Sequence, residues 1–276
     1  MDKEGFVISQ FNSKKIGDDG AVIGELVYSK DLFIEDTHFK REWMSLEKIA
    51  KKSLLINISD AIAMNATPKY ALIGVVLPSN FSKNELKKLS DTFKKECKKW
   101  NIEIIGGDTT SGEKLSISIT IISQSKKPIF RKGMKEGDFI AHTGKVGGSL
   151  KDLRRLLRGG RVSKNSRFIE PKIRANFFFK AAPFIHSSMD ISDGISKDLS
   201  RICKINNLGV KFLEKLSKDE LCSGEEFELL FSFNPKNLQR LKNISKKTKT
   251  PFRVFAKATR GRYQSSCKEH HFKEKY

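Results

Sequence analysis

The stretch SLEKIAKKSLLINISDAIAMNATP (residues 45–68) sets Leu46, Ile49, Ala50, Leu54, Asn57 and Ile58 at steps of three and four. That spacing predicts one long helix over 45–66, stopped by Thr67-Pro68. Asp60 falls inside it, among Ile58, Ile62 and Met64. An aspartate buried there without a partner costs several kcal/mol, so it must meet a cation or line a cleft.

On the N-terminal side, AVIGELVYSKDLFI (21–34) is rich in β-formers and runs into the acidic cluster EDTHF (35–39). On the C-terminal side, KYALIGVVLP (69–78) reads as a buried strand ended by proline. SKNELKKLSDTFKKECKKW (82–100) reads as an amphipathic helix with its lysines in water. IEIIGGDTT (102–110) reads as a strand entering a glycine turn, and LSISITII (115–122) as a strand with one buried face. The expected fold class is therefore α/β (α+β), with an N-terminal mixed sheet carrying helices. SQSKKP (123–128) is the expected boundary, giving domains 1–125 and 126–276. Beyond it the pattern predicts a strand and turn over 137–144 and helices near 149–158 and 170–181. A turn and helix follow over 190–207, then a strand over 227–233.

With 38% apolar residues and 20 Phe, the chain of 276 residues can build a substantial core. YALIGVVL (70–77) is far shorter than the roughly 20 apolar residues a membrane helix needs, so no membrane association is expected. MDKEGF has neither a basic start nor an apolar stretch, so a cytoplasmic location is expected. Cys97, Cys203, Cys222 and Cys267 are scattered without a CxxC pair, which predicts neither a zinc site nor a disulfide framework. The formal charge is +21, and residues 235–276 carry 13 Lys/Arg against Glu269 and Glu274. No nucleic-acid motif accompanies that excess, which reads as a solvated exterior rather than a nucleic-acid surface.

Five stretches place an aspartate at a strand end or in a small-residue turn. They are GDDGAVI (17–23), SKDLFIEDTHF (29–39), NISDAIAMNATP (57–68), GGDTTSG (106–112) and DISDGISKDL (190–199). Each alone is ordinary turn chemistry. In the last, Asp190 and Asp193 flank Ser192 ahead of Gly194 and a helix, offering two carboxylates and a helix N-terminus to one ligand. Short carboxylates without clustered Cys or His suit a hard ion such as Mg²⁺, which commonly bridges protein to phosphate.

Taken in order with RKGMKEGDFIAHTG (131–144) and GEEFELLF (224–231), these motifs resemble the thiamine-monophosphate kinase family. That family lies in the superfamily of aminoimidazole ribonucleotide synthetase and selenophosphate synthetase, and the resemblance spans Ile16 to Phe231. It implies a two-domain fold of that superfamily, paired as a homodimer. It also implies ATP-dependent phosphorylation of thiamine monophosphate to the diphosphate, with several Mg²⁺ ions and no Walker A loop. Matched residue by residue, Asp19, Ser29, Asp31, Asp60, Asp108, Asp190 and Asp193 are the implied metal ligands, with Asp60 and Asp193 catalytic. Gly107, Asp108, Arg131 and Ser192 are the implied ATP contacts, and His38 and Glu225 the implied substrate contacts. Asp18 reads as the member of its pair that shapes the turn.

Two positions depart from the family pattern. Lys30 stands where a small hydroxyl residue is usual, and Glu269 stands where an aromatic precedes the His271-Phe272 pair of the tail. Two other readings stay open at this point. One is another superfamily member, an ATP-dependent synthetase or maturation factor. The other is a basic nucleic-acid-binding protein.

Overall fold

Ser45 opens the central helix by accepting a hydrogen bond from the Lys48 N–H, and the helix α2 runs over Leu46–Ala63. The structure is a computed structural model that describes residues 3–268. α2 stops at Ala63 because Asn65 turns the backbone left-handed (φ 55°). Thr67 and Pro68 consequently open the next strand, β3 (Thr67–Pro78).

The first sheet also contains β1 (Ala21–Ile23), β2 (Leu26–Ile34), β4 (Glu103–Gly112) and β5 (Ser116–Gln124). Its order is β1-β2-β5-β3-β4, and it is mixed as expected, because β3 pairs with β4 in parallel and the other pairs are antiparallel. Ile117, Ile119 and Ile121 alternate inward from β5 onto a core shared with Ile49, Leu54 and Ile58 of α2. α3 (Lys83–Lys99) packs against α2 and β4 in the same core, opened by a capping box between Ser82 and Glu85. α1 (Lys3–Ser9) precedes the sheet and was not predicted.

Two expectations for this half need correction. β3 is only half buried, since Tyr70 and Leu72 face solvent. The GGDTT stretch is no turn. Gly106 and Gly107 lie within the continuous edge strand β4, every residue of which is exposed. The glycine at 107 is required by close approach, because a Cβ there would stand 1.8 Å from the Ile73 carbonyl oxygen.

The second sheet is antiparallel throughout, in the order β7-β9-β6-β10-β8. Its strands are β6 (Phe139–Thr143), β7 (Ile185–Asp190), β8 (Gly209–Phe212), β9 (Leu229–Phe233) and β10 (Phe252–Thr259). The helices of this half are α4 (Gly148–Leu157), α5 (Ala175–Ala181), α6 (Ile195–Asn206), α7 (Lys218–Cys222) and α8 (Leu238–Thr248). α5 begins four residues after Pro171, so the helix expected over 170–181 is shorter than its sequence pattern. β7, β8, α7, α8 and β10 had no counterpart in the sequence reading.

The expectation of four reduced cysteines is also overturned. Cys222 and Cys267 form a disulfide across 45 residues, while Cys97 and Cys203 are free and buried. Tertiary structure brings them together. Residues 263–267 run along α6, with Tyr263 Oη and Ser265 Oγ each 3.0 Å from Ser196 Oγ, so Cys267 meets the end of α7. The tail positions Glu269, His271 and Phe272 lie outside the described residues. Among the described residues, no helix is long and apolar enough to cross a membrane.

Candidate active site

Where α2 meets the end of β7, a cleft of about 740 Å³ gathers Asp18, Asp19, Asp31, Asp60, Asp190 and Asp193. One turn of α2 organises much of it. Asn57 Oδ1 accepts the Asp31 N–H at 2.9 Å, holding β2 against the helix, and Asn57 Nδ2 donates to the Ser53 carbonyl. Ser59 Oγ donates to Asp190 Oδ2 at 2.6 Å. Asp60 is one helical turn past Asn57, on the same face. It lines the cleft, which is one of the two outcomes its sequence position demanded.

The GDDG turn is latched from across the fold. The Arg131 N–H donates to Asp18 Oδ1 at 2.6 Å, and the Arg131 guanidinium pairs with Asp19 Oδ1 and donates to the Gly17 carbonyl. Asp18 thus holds the turn, and Arg131 is engaged with aspartates. Asp19 Oδ2 is buried with no hydrogen-bond partner. One carboxylate oxygen each from Asp19, Asp60 and Asp190 lies within 4.8 Å of the other two.

Crowding and burial set the electrostatics. Burial raises the Asp31 carboxyl to about 6 against a hydrogen bond with Asp60 that lowers it. Asp60 and Asp190 are pushed well above the ordinary carboxylate range, first by burial and then by neighbouring aspartates. Seven acids line the cleft, counting Glu225, against Lys30, Arg131 and Arg201. Such a surface repels a polyphosphate unless cations enter with it. The all-oxygen donor set and the orphaned Asp19 Oδ2 fit a hard divalent cation.

The DISDG segment closes another side. Asp193 pairs with Arg201 at 2.6 Å, and its N–H is accepted by Asp198 Oδ2 at 3.2 Å. Burial raises Asp198 to about 7. Gly194 caps α6 with φ 101°, where a Cβ would stand 3.0 Å from the Leu221 carbonyl oxygen. The Ser192 carbonyl accepts the Glu225 N–H at 2.7 Å, so the segment around Glu225 is knitted to this turn.

His38 and Glu225 line the same cleft with Phe33 and Phe227. His38 Nδ1 accepts the Ile34 N–H at 3.0 Å, so the neutral ring carries its proton on Nε2. Ser192 also lines the cleft. Three sequence-derived positions are placed elsewhere. Ser29 Oγ donates to the Asn57 carbonyl and is buried. Gly107 packs on the Ile73 backbone. Asp108 lines a smaller cleft of about 290 Å³, which shares Leu32 and Ile34 with the large one. Lys30 donates to Ser118 Oγ at 2.6 Å.

Sequence reasoning missed Asn57 and Ser59 as organisers, Asp198 and Arg201 as partners of Asp193, and Lys52. Lys52 is fully buried, with Nζ 2.6 Å from Glu225 Oε2. A signal for it existed, because Lys52 shares its helical phase with the buried Ile49 and Ile56.

Residues 17–124 match the family model described as "AIR synthase related protein, N-terminal domain". That match covers the first sheet and α2 and places this half among AIR synthase-related N-terminal domains. The thiamine-monophosphate kinase of Leptospira interrogans is 34% identical over 227 residues, covering 74% of each chain. The chain belongs to the thiamine-monophosphate kinase family. The fold is similar to that of AaThiL complexed with AMPPCP and TMP (TM-score 0.81, 23% identity, 95% of this chain and 91% of that one). It is also similar to the HypE-HypF complex (TM-score 0.79, 17% identity, 94% and 93%).

Proposed function

We propose that this chain transfers the γ-phosphoryl group of ATP to the phosphate of thiamine monophosphate, giving thiamine diphosphate and ADP. The observation that carries the reading is the convergence of Asp19, Asp60 and Asp190 in a cleft that His38, Glu225, Phe33 and Phe227 also line. The fold alone is shared with a hydrogenase maturation protein, but the relative at 34% identity is a thiamine-monophosphate kinase, which favours the kinase. The lysines of α3 carry its solvent face.

Asp19, Asp60 and Asp190 would hold Mg²⁺, with Asp31 and Asp193 beside them. Bound Mg²⁺ supplies the positive charge that lets phosphate oxygens approach these acids. The acceptor is already a phosphate oxygen, largely ionised near neutral pH because its second pKa is about 6, so no dedicated base is needed. The chain's own residues then position. Arg131 fixes the GDDG turn, Ser59 aims Asp190, and the N-terminus of α6 adds a partial positive charge beside Ser192. Asp108, in the adjoining cleft, is suited to the nucleotide side, with Gly107 behind it.

We assign residues 1–125 to an N-terminal domain carrying the nucleotide and metal side, and 126–276 to a C-terminal domain completing the site. The exposed edge strand β4, with Tyr70, Leu72, Ile104 and Ile105 also in solvent, supports pairing of two copies into a homodimer. A cytoplasmic location follows from the substrates such an enzyme needs. Incubation with ATP, Mg²⁺ and thiamine monophosphate should yield thiamine diphosphate by chromatography. A well-folded protein that forms none overturns the reading.

A further inference from the structure

Lys52 is the one charged residue of α2 with no exposed surface, and its ammonium lies 4.1 Å from the Phe168 ring centroid and 5.5 Å from that of Phe33. Its charged partner among the described residues is Glu225, at 2.6 Å. A lysine taken so far from water needs a reason beyond stability, since an apolar residue of similar volume serves the core as well. Glu225 supplies one. Its backbone takes φ 54°, a left-handed conformation unusual for a glutamate, and its N–H is fixed to the Ser192 carbonyl. Those constraints place the residue but leave its side-chain torsions free. Lys52 removes that freedom by holding Oε2, while the Glu225 side chain keeps 23% exposure on the cleft wall.

The same helix also carries Asp60, eight residues on, which is roughly 12 Å along the axis. α2 therefore sets both ends of the cleft, the acid cluster at one and the Glu225 anchor at the other.

We infer that Lys52 is a positioning residue for the acceptor, locking the Glu225 carboxylate where it meets the aromatic heterocycle of the substrate, away from the reacting phosphates. The inference rests on the kinase reading and names its specificity determinant. Lys52 acts through Glu225, so its loss weakens acceptor binding and leaves nucleotide binding alone.

The test is steady-state kinetics of Lys52→Met, Glu225→Gln and the double variant, with thiamine monophosphate and ATP varied separately. Expected is a rise of about tenfold or more in KM for thiamine monophosphate in each single variant, with KM for ATP unchanged. The double variant should be no worse than Glu225→Gln, because the two residues act as one unit. If Lys52→Met does not fold, Lys52→Gln and Glu225→Gln carry the same comparison. A wild type that turns over, beside a folded Lys52 variant with unaltered acceptor KM or with equal losses for both substrates, overturns the inference alone. A wild type without turnover overturns the kinase reading and this inference with it.

Discussion

Ser59 Oγ donates to Asp190 Oδ2 at 2.6 Å, a bond that ties the helix of the first sheet to the last residue of a strand in the second. Asp190 is 2% exposed, and this hydroxyl opposes the burial that raises its carboxyl. Ser59→Ala removes the donor and leaves the Asp190 oxygen unpaired. A hydrogen bond to a charged group contributes about 1.5–3 kcal/mol, which corresponds to roughly a 10- to 100-fold loss in kcat/KM. Part of that loss should be recovered by raising Mg²⁺, as a Mg²⁺ titration of both proteins would show.

Asp60→Asn separates function from stability. The substitution keeps the side-chain shape but removes one carboxylate from a group in which Asp31, Asp190 and Asp19 all repel it. On the proposed Mg²⁺ reading a ligand is lost with it, and turnover should fall by at least about a hundredfold. Without divalent metal, the variant should melt at or above the wild-type temperature, because buried like charges have been relieved. Wild-type activity in this variant would sink the metal-cluster argument.

The metal-free protein should lose stability as pH rises. Asp31 titrates near 6 in the fold against 3.8 in the unfolded chain, so the folded state binds more protons between those values. A carboxyl raised on folding stabilises fully below 3.8, and that contribution disappears as pH climbs through about 6. The shift corresponds to about 3 kcal/mol for Asp31, with Asp60 and Asp190 acting in the same direction. Melting curves in chelator should therefore move down between pH 4 and 7, and excess Mg²⁺ should restore the upper end. A melting temperature that is flat or rising over that range, with and without Mg²⁺, contradicts this account.

Local signals in the sequence led to α2, α3 and β5, because each has a clear period of its own: the stripe from Leu46 to Ile58, the apolar Leu86, Leu89, Phe93 and Cys97, and the alternating isoleucines of 117–121. The acids were legible for a different reason, since Asp60 violates the pattern around it. What stayed hidden depends on partners far away in sequence. β7 reads IHSSMD, polar enough to pass for a loop, yet Ser187 and Ser188 are buried, Ser187 Oγ meeting Ser232 Oγ of β9 at 2.8 Å and the Ser188 N–H donating to the Phe130 carbonyl. Arg131 is expected as an ATP contact from its motif, but its pairing with Asp19, 112 residues away in sequence, is visible only in the fold. The glycines of GGDTT signalled a turn by local rule, but the Ile73 carbonyl beside Gly107 made them a strand.

Reduction of Cys222–Cys267 should destabilise the C-terminal half. The bond closes a span of 45 residues, for which loop-closure entropy gives about 4 kcal/mol. It fastens the segment from Tyr263 to Cys267 across α6, where the other ties include the contacts of Ser196 Oγ with Tyr263, Ser265 and Ser266, the bond from Ser200 Oγ to the Tyr263 carbonyl, and the packing of the Tyr263 ring on Phe212. Most of those ties gather at Tyr263, so the half-exposed stretch beyond it loosens once the covalent link is cut. A thiol reductant, or Cys267→Ser without reductant, should lower the melting temperature by several degrees and speed trypsin cleavage after Arg260 and Arg262. Cleavage at those two sites at equal rates in oxidised and reduced protein would show that the non-covalent ties alone hold the strap. Cys97 and Cys203 give the internal control, because both thiols are buried and burial pushes them up to about 11 and about 12, so neither reacts under these conditions.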